Sequence, residues 1–152
     1  MLIYFAGPLF SEAERAFNAR LAAQLEERGF DVFLPQRDGF EIISSQESEL
    51  SISEQQEAIF AFDRDRILAA DVFLFVLDGR VPDEGACVEL GIAYAQKSLE
   101  KRSRLLIGLL TDRRAAFLDA KLNAMVQGAL DTIVDNEEDL LAAVAAADHA
   151  RR

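Results

Sequence analysis

Two carboxylates in this chain stand where solubility alone does not explain them. Glu89 lies in the stretch Val81 to Gln96 (VPDEGACVELGIAYAQ), with Gly85, Ala86, Ile92 and Ala93 at three- and four-residue spacing. On a helix its own face is therefore small and apolar. Asp63 falls in the segment from about Ser53 to Ala70. At about 100° per residue, Ile52, Gln56, Ile59, Ile67 and Ala70 form one stripe there, with Phe60 and Phe62 at its margins. Asp63 sits in the middle of that stripe, whereas Asp65 points away as an ordinary solvated charge. An acid on an apolar face is costly unless it is paired or used. Two readings fit each residue: a structural acid at a helix edge, reaching water or an ion-pair partner, or a carboxylate lining a cleft and available for proton transfer or nucleophilic attack.

The elements that must position these acids are legible as hydrophobic runs and turn signals. Val72 to Leu77 (VFLFVL) reads as a buried parallel strand ending at Asp78-Gly79, and Pro82, Asp83 and Glu84 read as the first turn of the helix that carries Glu89. Leu2 to Ala6 (LIYFA) is a first strand closed by Gly7-Pro8. Ser11 and Glu14 form a capping-box pair opening a helix with Phe17, Leu21 and Leu25 on one face, up to Gly29. Phe30 to Pro35 is the second strand and Arg104 to Leu110 (RLLIGLL) the fourth. Thr132 to Val134 is a short fifth, followed by an alanine-rich helix from Glu137 to His149. His149 then sits as a favourable charge near a helix terminus rather than as a catalyst. From Gln36 to Ser53 the sequence predicts a long polar loop with room for a short helical turn, and from Asp112 to Leu122 a loop with a short helix.

Five β-α units without an internal repeat predict a single domain over residues 1–152. Its fold class is α/β: a flavodoxin-like three-layer α/β/α sandwich with a five-stranded parallel sheet. In such a sheet the loop Gly7-Pro8-Leu9-Phe10 and the loop before Glu89 share the carboxyl edge, where open α/β sheets bind ligands. Gln36, Arg37 and Asp38 follow the second strand and are placed to touch a ligand there. Neither a G-x-G-x-x-G fingerprint nor a P-loop ending is present. Tyr4 lies in the first strand, its neighbours Ile3 and Phe5 on the opposite face, and fits a core aromatic with a locally satisfied hydroxyl.

Sixteen Lys and Arg against 27 Asp and Glu give a net charge of −11. That balance argues against a sequence-blind nucleic-acid binder, which needs clustered cations for phosphate. No apolar run approaches the roughly 20 residues that span a bilayer. The chain opens on strand-like residues rather than a charged leader, and its one cysteine, Cys87, has no internal partner. A soluble cytoplasmic protein is expected. A single His and a single Cys leave no zinc-ligand set, so neither a metal nor another cofactor is expected.

Four short segments together resemble one family. IYFAGP (Ile3 to Pro8), Asp63 placed eight residues before Asp71, PDEGACVELG (Pro82 to Gly91) and LNAM (Leu122 to Met125) are similar to the nucleoside 2-deoxyribosyltransferases. The pattern Asp-x-Gly-x-x-x-Glu-Leu/Ile/Val-Gly of that family stands here as Asp83, Gly85, Glu89, Leu90 and Gly91. The resemblance implies that Glu89 is the nucleophile, that the strand tyrosine Tyr4 hydrogen-bonds it, and that Asp63 faces the nucleobase as general acid or proton shuttle. Asp83 would accept hydrogen bonds from a sugar hydroxyl. Asn123 and Met125 would reach the site, commonly that of a neighbouring subunit, with the asparagine on the sugar. On residue type alone they fit a loop asparagine beside a core methionine. Gly7 and Gln36 complete the expected substrate-binding set.

The implied activity is transfer of a 2'-deoxyribosyl group from a 2'-deoxynucleoside to a free nucleobase through a covalent intermediate, in a homo-oligomer, dimer or hexamer. Related hydrolases of deoxynucleoside 5'-monophosphates carry a small hydroxyl residue where this chain has Asp83, and an acid there would repel a phosphate. An N-glycoside hydrolase of nucleosides or of such monophosphates is the alternative, and a non-catalytic nucleotide-sensing module is a second one.

Overall fold

The structure is a computed structural model that describes residues 1–40, 50–112 and 122–151. The apolar runs form five strands: β1 (Leu2–Ala6), β2 (Asp31–Phe33), β3 (Val72–Val76), β4 (Leu105–Leu109) and β5 (Thr132–Val134). Six helices accompany them among the described residues. They are α1 (Glu12–Glu26), α2 (Pro35–Asp38), α3 (Ile52–Ala69), α4 (Glu84–Glu100), α5 (Ala124–Ala129) and α6 (Glu137–Arg151). All strand pairs are parallel and the order is β2-β1-β3-β4-β5. β3 is buried along its whole length, as a strand covered on both faces must be.

Side-chain alternation sorts the sheet into two apolar layers. On one face Ile3, Phe5, Val72 and Leu74 pack against Leu21 and Leu25 of α1 and Leu140 and Val144 of α6. On the other, Tyr4, Ala6, Phe73 and Phe75 meet Ile67 of α3, Leu90 and Ala93 of α4 and Val126 beyond them. This is the flavodoxin-like three-layer sandwich.

Local capping chemistry sets several boundaries. The Ser11–Glu14 capping box opens α1, and a second box, Ser51–Glu54, opens α3 at Ile52 rather than near Ser53. α4 starts at Glu84, because Asp83 accepts the Ala86 N–H as N-cap and so stands outside the first turn, as does Pro82. β2 ends before Leu34, and Pro35 begins the single-turn α2, a short helical turn of the kind expected at the start of the polar loop. The α3 stripe is shallower than its periodicity predicts. Ile67 is buried, but Ile52 is 77 % and Phe60 55 % exposed, because only the last turns of α3 lie over the sheet. The greater part of the polar loop and the short helix expected within Asp112–Leu122 lie outside the described residues. Among those described, no helix is long and apolar enough to cross a membrane.

Gly7, which ends β1, has φ +151°, and a Cβ there would come within 2.9 Å of Val76 Cβ and 3.2 Å of Val76 O. Gly7→Ala should therefore lower unfolding free energy by about 1–3 kcal/mol, from backbone strain plus the clash with β3. Gly29, with φ +84° and open space around it, should lose less as Gly29→Ala. Urea denaturation of the two variants checks the ordering.

Candidate active site

The strand order reverses between β1 and β3: the chain leaves β1 toward β2 and leaves β3 toward β4. Loops departing in opposite directions open a crevice at the carboxyl ends of these two strands. A cavity of about 430 Å3 occupies it. Gly7 from the β1–α1 loop, Gln36 from α2, Asp63 from α3, and Asp83 and Glu89 from α4 all line this cavity.

Tyr4 lies beneath the cavity wall and meets the site through Glu89. Register places Tyr4 beside Phe33 on β2 and Phe73 on β3. Its ring stacks between theirs at centroid distances of 5.4 and 5.6 Å, and the side chain is wholly buried. Held at this depth, the Tyr4 hydroxyl donates to Glu89 Oε1 at 2.7 Å, across 85 residues of sequence. The small residues around Glu89 on α4 let the helix sit close enough for that bond.

Glu89 is a carboxyl group in conflict with its surroundings. Burial pushes its pKa up, and the negative charges of Asp63 and Asp83 push the same way. The Tyr4 hydrogen bond opposes them by favouring the ionised form, and the balance lies at about 7 against an ordinary 4.5. The group is thus poised near neutrality, where a small environmental change converts acid to base.

Asp83 has a different environment. Its Oδ1 accepts the Ala86 N–H at 2.8 Å, at the positive end of α4. A Cβ on Gly85 would lie 3.2 Å from that oxygen, so the glycine leaves the carboxylate its room. Gln36 spends both ends of its amide on the cavity wall: Oε1 accepts from Asn18 Nδ2 at 3.1 Å, and Nε2 donates to Arg15 O at 2.8 Å. Asn18 also donates to Pro8 O, and Arg15 to the carbonyls of Leu9 and Phe10, so this network holds the β1–α1 loop.

Asn123 and Met125 are not brought to this cavity within the chain. Asn123 caps α5 through the Met125 N–H at 2.9 Å, and Met125 is 82 % exposed. Met125 lines a separate groove of about 400 Å3 with Cys87, Leu90 and Tyr94. Two cavity residues escaped the sequence reading. Phe10 projects into the cavity mouth and is 76 % exposed; Arg15 stands beside it. The signal for Phe10 was its place in the loop after the first strand, where an apolar side chain has no core to enter. Among the described residues, no group of three or more His, Cys, Asp or Glu is arranged to hold a metal ion.

The geometry offers a poised carboxylate, a phenol that orients it, a second acid on the facing helix and a third at the helix terminus. A family model described as Nucleoside 2-deoxyribosyltransferase matches residues 3–143. Among solved structures, a conserved protein from Enterococcus faecalis V583 is 30 % identical, with 93 % of this chain and 94 % of that one covered at a TM-score of 0.71. A 2-deoxyribosyltransferase from Bacillus psychrosaccharolyticus is 20 % identical over 93 % and 90 % of the two chains, TM-score 0.70. A CMP N-glycosidase from Clostridium botulinum is 19 % identical over 95 % and 98 %, TM-score 0.53. A comparison with curated proteins returns no match.

The raised Glu89 pKa has a stability consequence. The folded state holds the proton more tightly than the unfolded chain, so folding weakens as pH rises from about 4.5 through about 7. Glu89→Gln should therefore be more stable than the parent at pH 8, by an amount on the order of a few kcal/mol, with the gap closing by about pH 4. Thermal melts of both proteins across this range check the sign.

Proposed function

Because the chain belongs to the nucleoside 2-deoxyribosyltransferase family, whose enzymes act on nucleosides and nucleobases, we propose that it transfers the 2-deoxyribosyl group of a 2'-deoxynucleoside to another nucleobase. The observation that carries this reading is the 2.7 Å bond between Tyr4 and Glu89 in a cavity that Asp63 shares.

Cleaving an N-glycosidic bond develops oxocarbenium character at the anomeric carbon, so the reaction needs an anion at that carbon and a proton at the leaving base. In this reading the ionised Glu89 attacks the anomeric carbon and forms a C–O bond as the C–N bond breaks. The released electron pair goes to the base nitrogen, which takes a proton from Asp63. The acceptor base then attacks the glycosyl-Glu89 ester through its own nitrogen, Asp63 recovers the proton, and Glu89 leaves as carboxylate. Tyr4 fixes the Glu89 rotamer and shares the charge of the anion before attack. Asp83, anchored at the α4 terminus, has lone pairs beyond its Ala86 bond for a sugar hydroxyl. Gly7 lets the loop pass close to the sugar, and Gln36 contributes by holding the cavity wall.

A helix N-terminus at a cleft is ordinarily a good phosphate seat. Here Asp83 already fills it, and a phosphate dianion would meet a carboxylate as well as the −11 net charge. This favours unphosphorylated deoxynucleosides over 5'-monophosphates. Since Asn123 and Met125 lie away from the cavity, their expected part in the site calls for a neighbouring copy, and we include a homo-oligomer in the reading. Light scattering that shows only monomer at assay concentration removes that part.

Incubation with deoxyinosine and free adenine should yield deoxyadenosine. Free deoxyribose formed equally with and without adenine indicates a hydrolase instead. Glu89→Ala should lose turnover by at least about a thousandfold; unaltered nucleoside binding with no turnover even in the parent would indicate a sensor.

Ionised Glu89 is the attacking form, so activity should rise with pH through about 7. Tyr4→Phe removes the one contact that lowers this pKa and should move the rising limb to higher pH. An unmoved limb in that variant excludes the proposed link between the phenol and the nucleophile.

A further inference from the structure

Two of the three acids of the cavity, Asp63 and Glu89, stand on different helices, and one buried cation touches both helices behind them. Arg104, at the start of β4, is 5 % exposed. Its guanidinium donates to Ile67 O at 2.6 Å and to Ala70 O, both at the end of α3, and lies 3.5 Å from Ala93 O in α4. Ile67 follows Asp63 by four residues and Ala93 follows Glu89 by four. One side chain therefore meets the backbone a single helical turn beyond each carboxylate.

The rest of α3 gives it little depth. Ile67 is its only fully buried residue in 18, with Phe62 partly buried against the same apolar layer, and α3 and α4 also touch one another directly along their facing sides. At the end of α3 the Ala70 N–H is shared between Arg66 O and Ile67 O, which leaves these carbonyls under-supplied, and a planar guanidinium can serve two carbonyls there while reaching a third group. Burial holds the Arg104 pKa down to about 10, a desolvation cost that a residue of no consequence would not carry. Arg102 serves Ala69 O and shares Leu68 O with Arg104, from a more exposed position.

We propose that Arg104 is a positioning residue that clamps α3 to α4 and thereby sets the separation of Asp63 from Glu89. The inference rests on the reading of those two acids as the reacting pair. The negative charge of Asp63 is one of the causes that raise the Glu89 pKa, so their spacing has a readout on the protein itself, without substrate.

The test compares Arg104→Lys, which keeps the charge and loses the fork, with Arg102→Lys as the control for general weakening of the α3 terminus. The Glu89 carboxyl is titrated by carbon-13 NMR in each, and kcat and KM are measured for deoxyinosine with adenine. In folded Arg104→Lys, the Glu89 midpoint should fall toward the ordinary carboxyl range. Its kcat should drop roughly ten- to a hundredfold with KM little changed. The control should show neither effect.

An unmoved midpoint, equal effects in both variants, a moved midpoint with kcat intact, or an Arg104→Lys protein that does not fold would each overturn the proposal, the last by reducing Arg104 to a stability residue. If the parent protein shows no turnover, the functional reading fails separately, and the NMR midpoint alone decides whether Arg104 sets the spacing.

Discussion

A phenol in the sheet and a carboxyl group on a helix, joined by one hydrogen bond, tie the candidate site of this protein to its fold. Tyr4 cannot move, because Phe33 and Phe73 hold its ring in register from both neighbouring strands. Its hydroxyl therefore reports the position of the sheet to Glu89 with little play. The helix reaches it only because Gly85, Ala86 and Ala93 keep the surroundings of Glu89 small. The stability deficit of a buried acid is then the cost of holding a carboxyl group near its point of ionisation, a common compromise at functional sites.

The cavity around that bond is built from parts with unequal rigidity. Its floor is the sheet, and one wall is the β1–α1 loop, pinned by Asn18, Arg15 and Gln36. The opposite wall is α3, which packs on the sheet only at its end. Asp83 closes the helix terminus with its own charge, so the site presents an anchored acid where phosphate-binding folds of similar topology present bare N–H groups.

Much of the fold was readable because β-α alternation leaves clear marks. Continuous apolar runs gave all five strands, and the Ser11–Glu14 pair located α1. The errors have physical causes. Pro82 and Asp83 carry helix-start signals, but a carboxylate that caps cannot also be inside the first turn, and this displaced the start of α4 to Glu84. The α3 stripe assumed that periodicity implies burial, whereas Ile52 and Phe60 extend beyond the sheet they would cover.

For the site, spacing alone made Glu89 and Asp63 conspicuous, because a charge on an apolar face is a local anomaly. Arg15 gave no such anomaly: a helix arginine is ordinary in sequence, and only the crevice gives it a place. Nor could sequence show that the Gln36 amide is fully engaged by Asn18 and Arg15.

The protein has no tryptophan and two tyrosines, and these differ sharply in setting. Tyr94 is half exposed, whereas Tyr4 is sealed against the Glu89 carboxyl group. Near-ultraviolet emission from this chain is therefore split between a solvent-facing ring and one hydrogen-bonded to the Glu89 carboxyl. The fold thus carries a native chromophore directly against that buried acid.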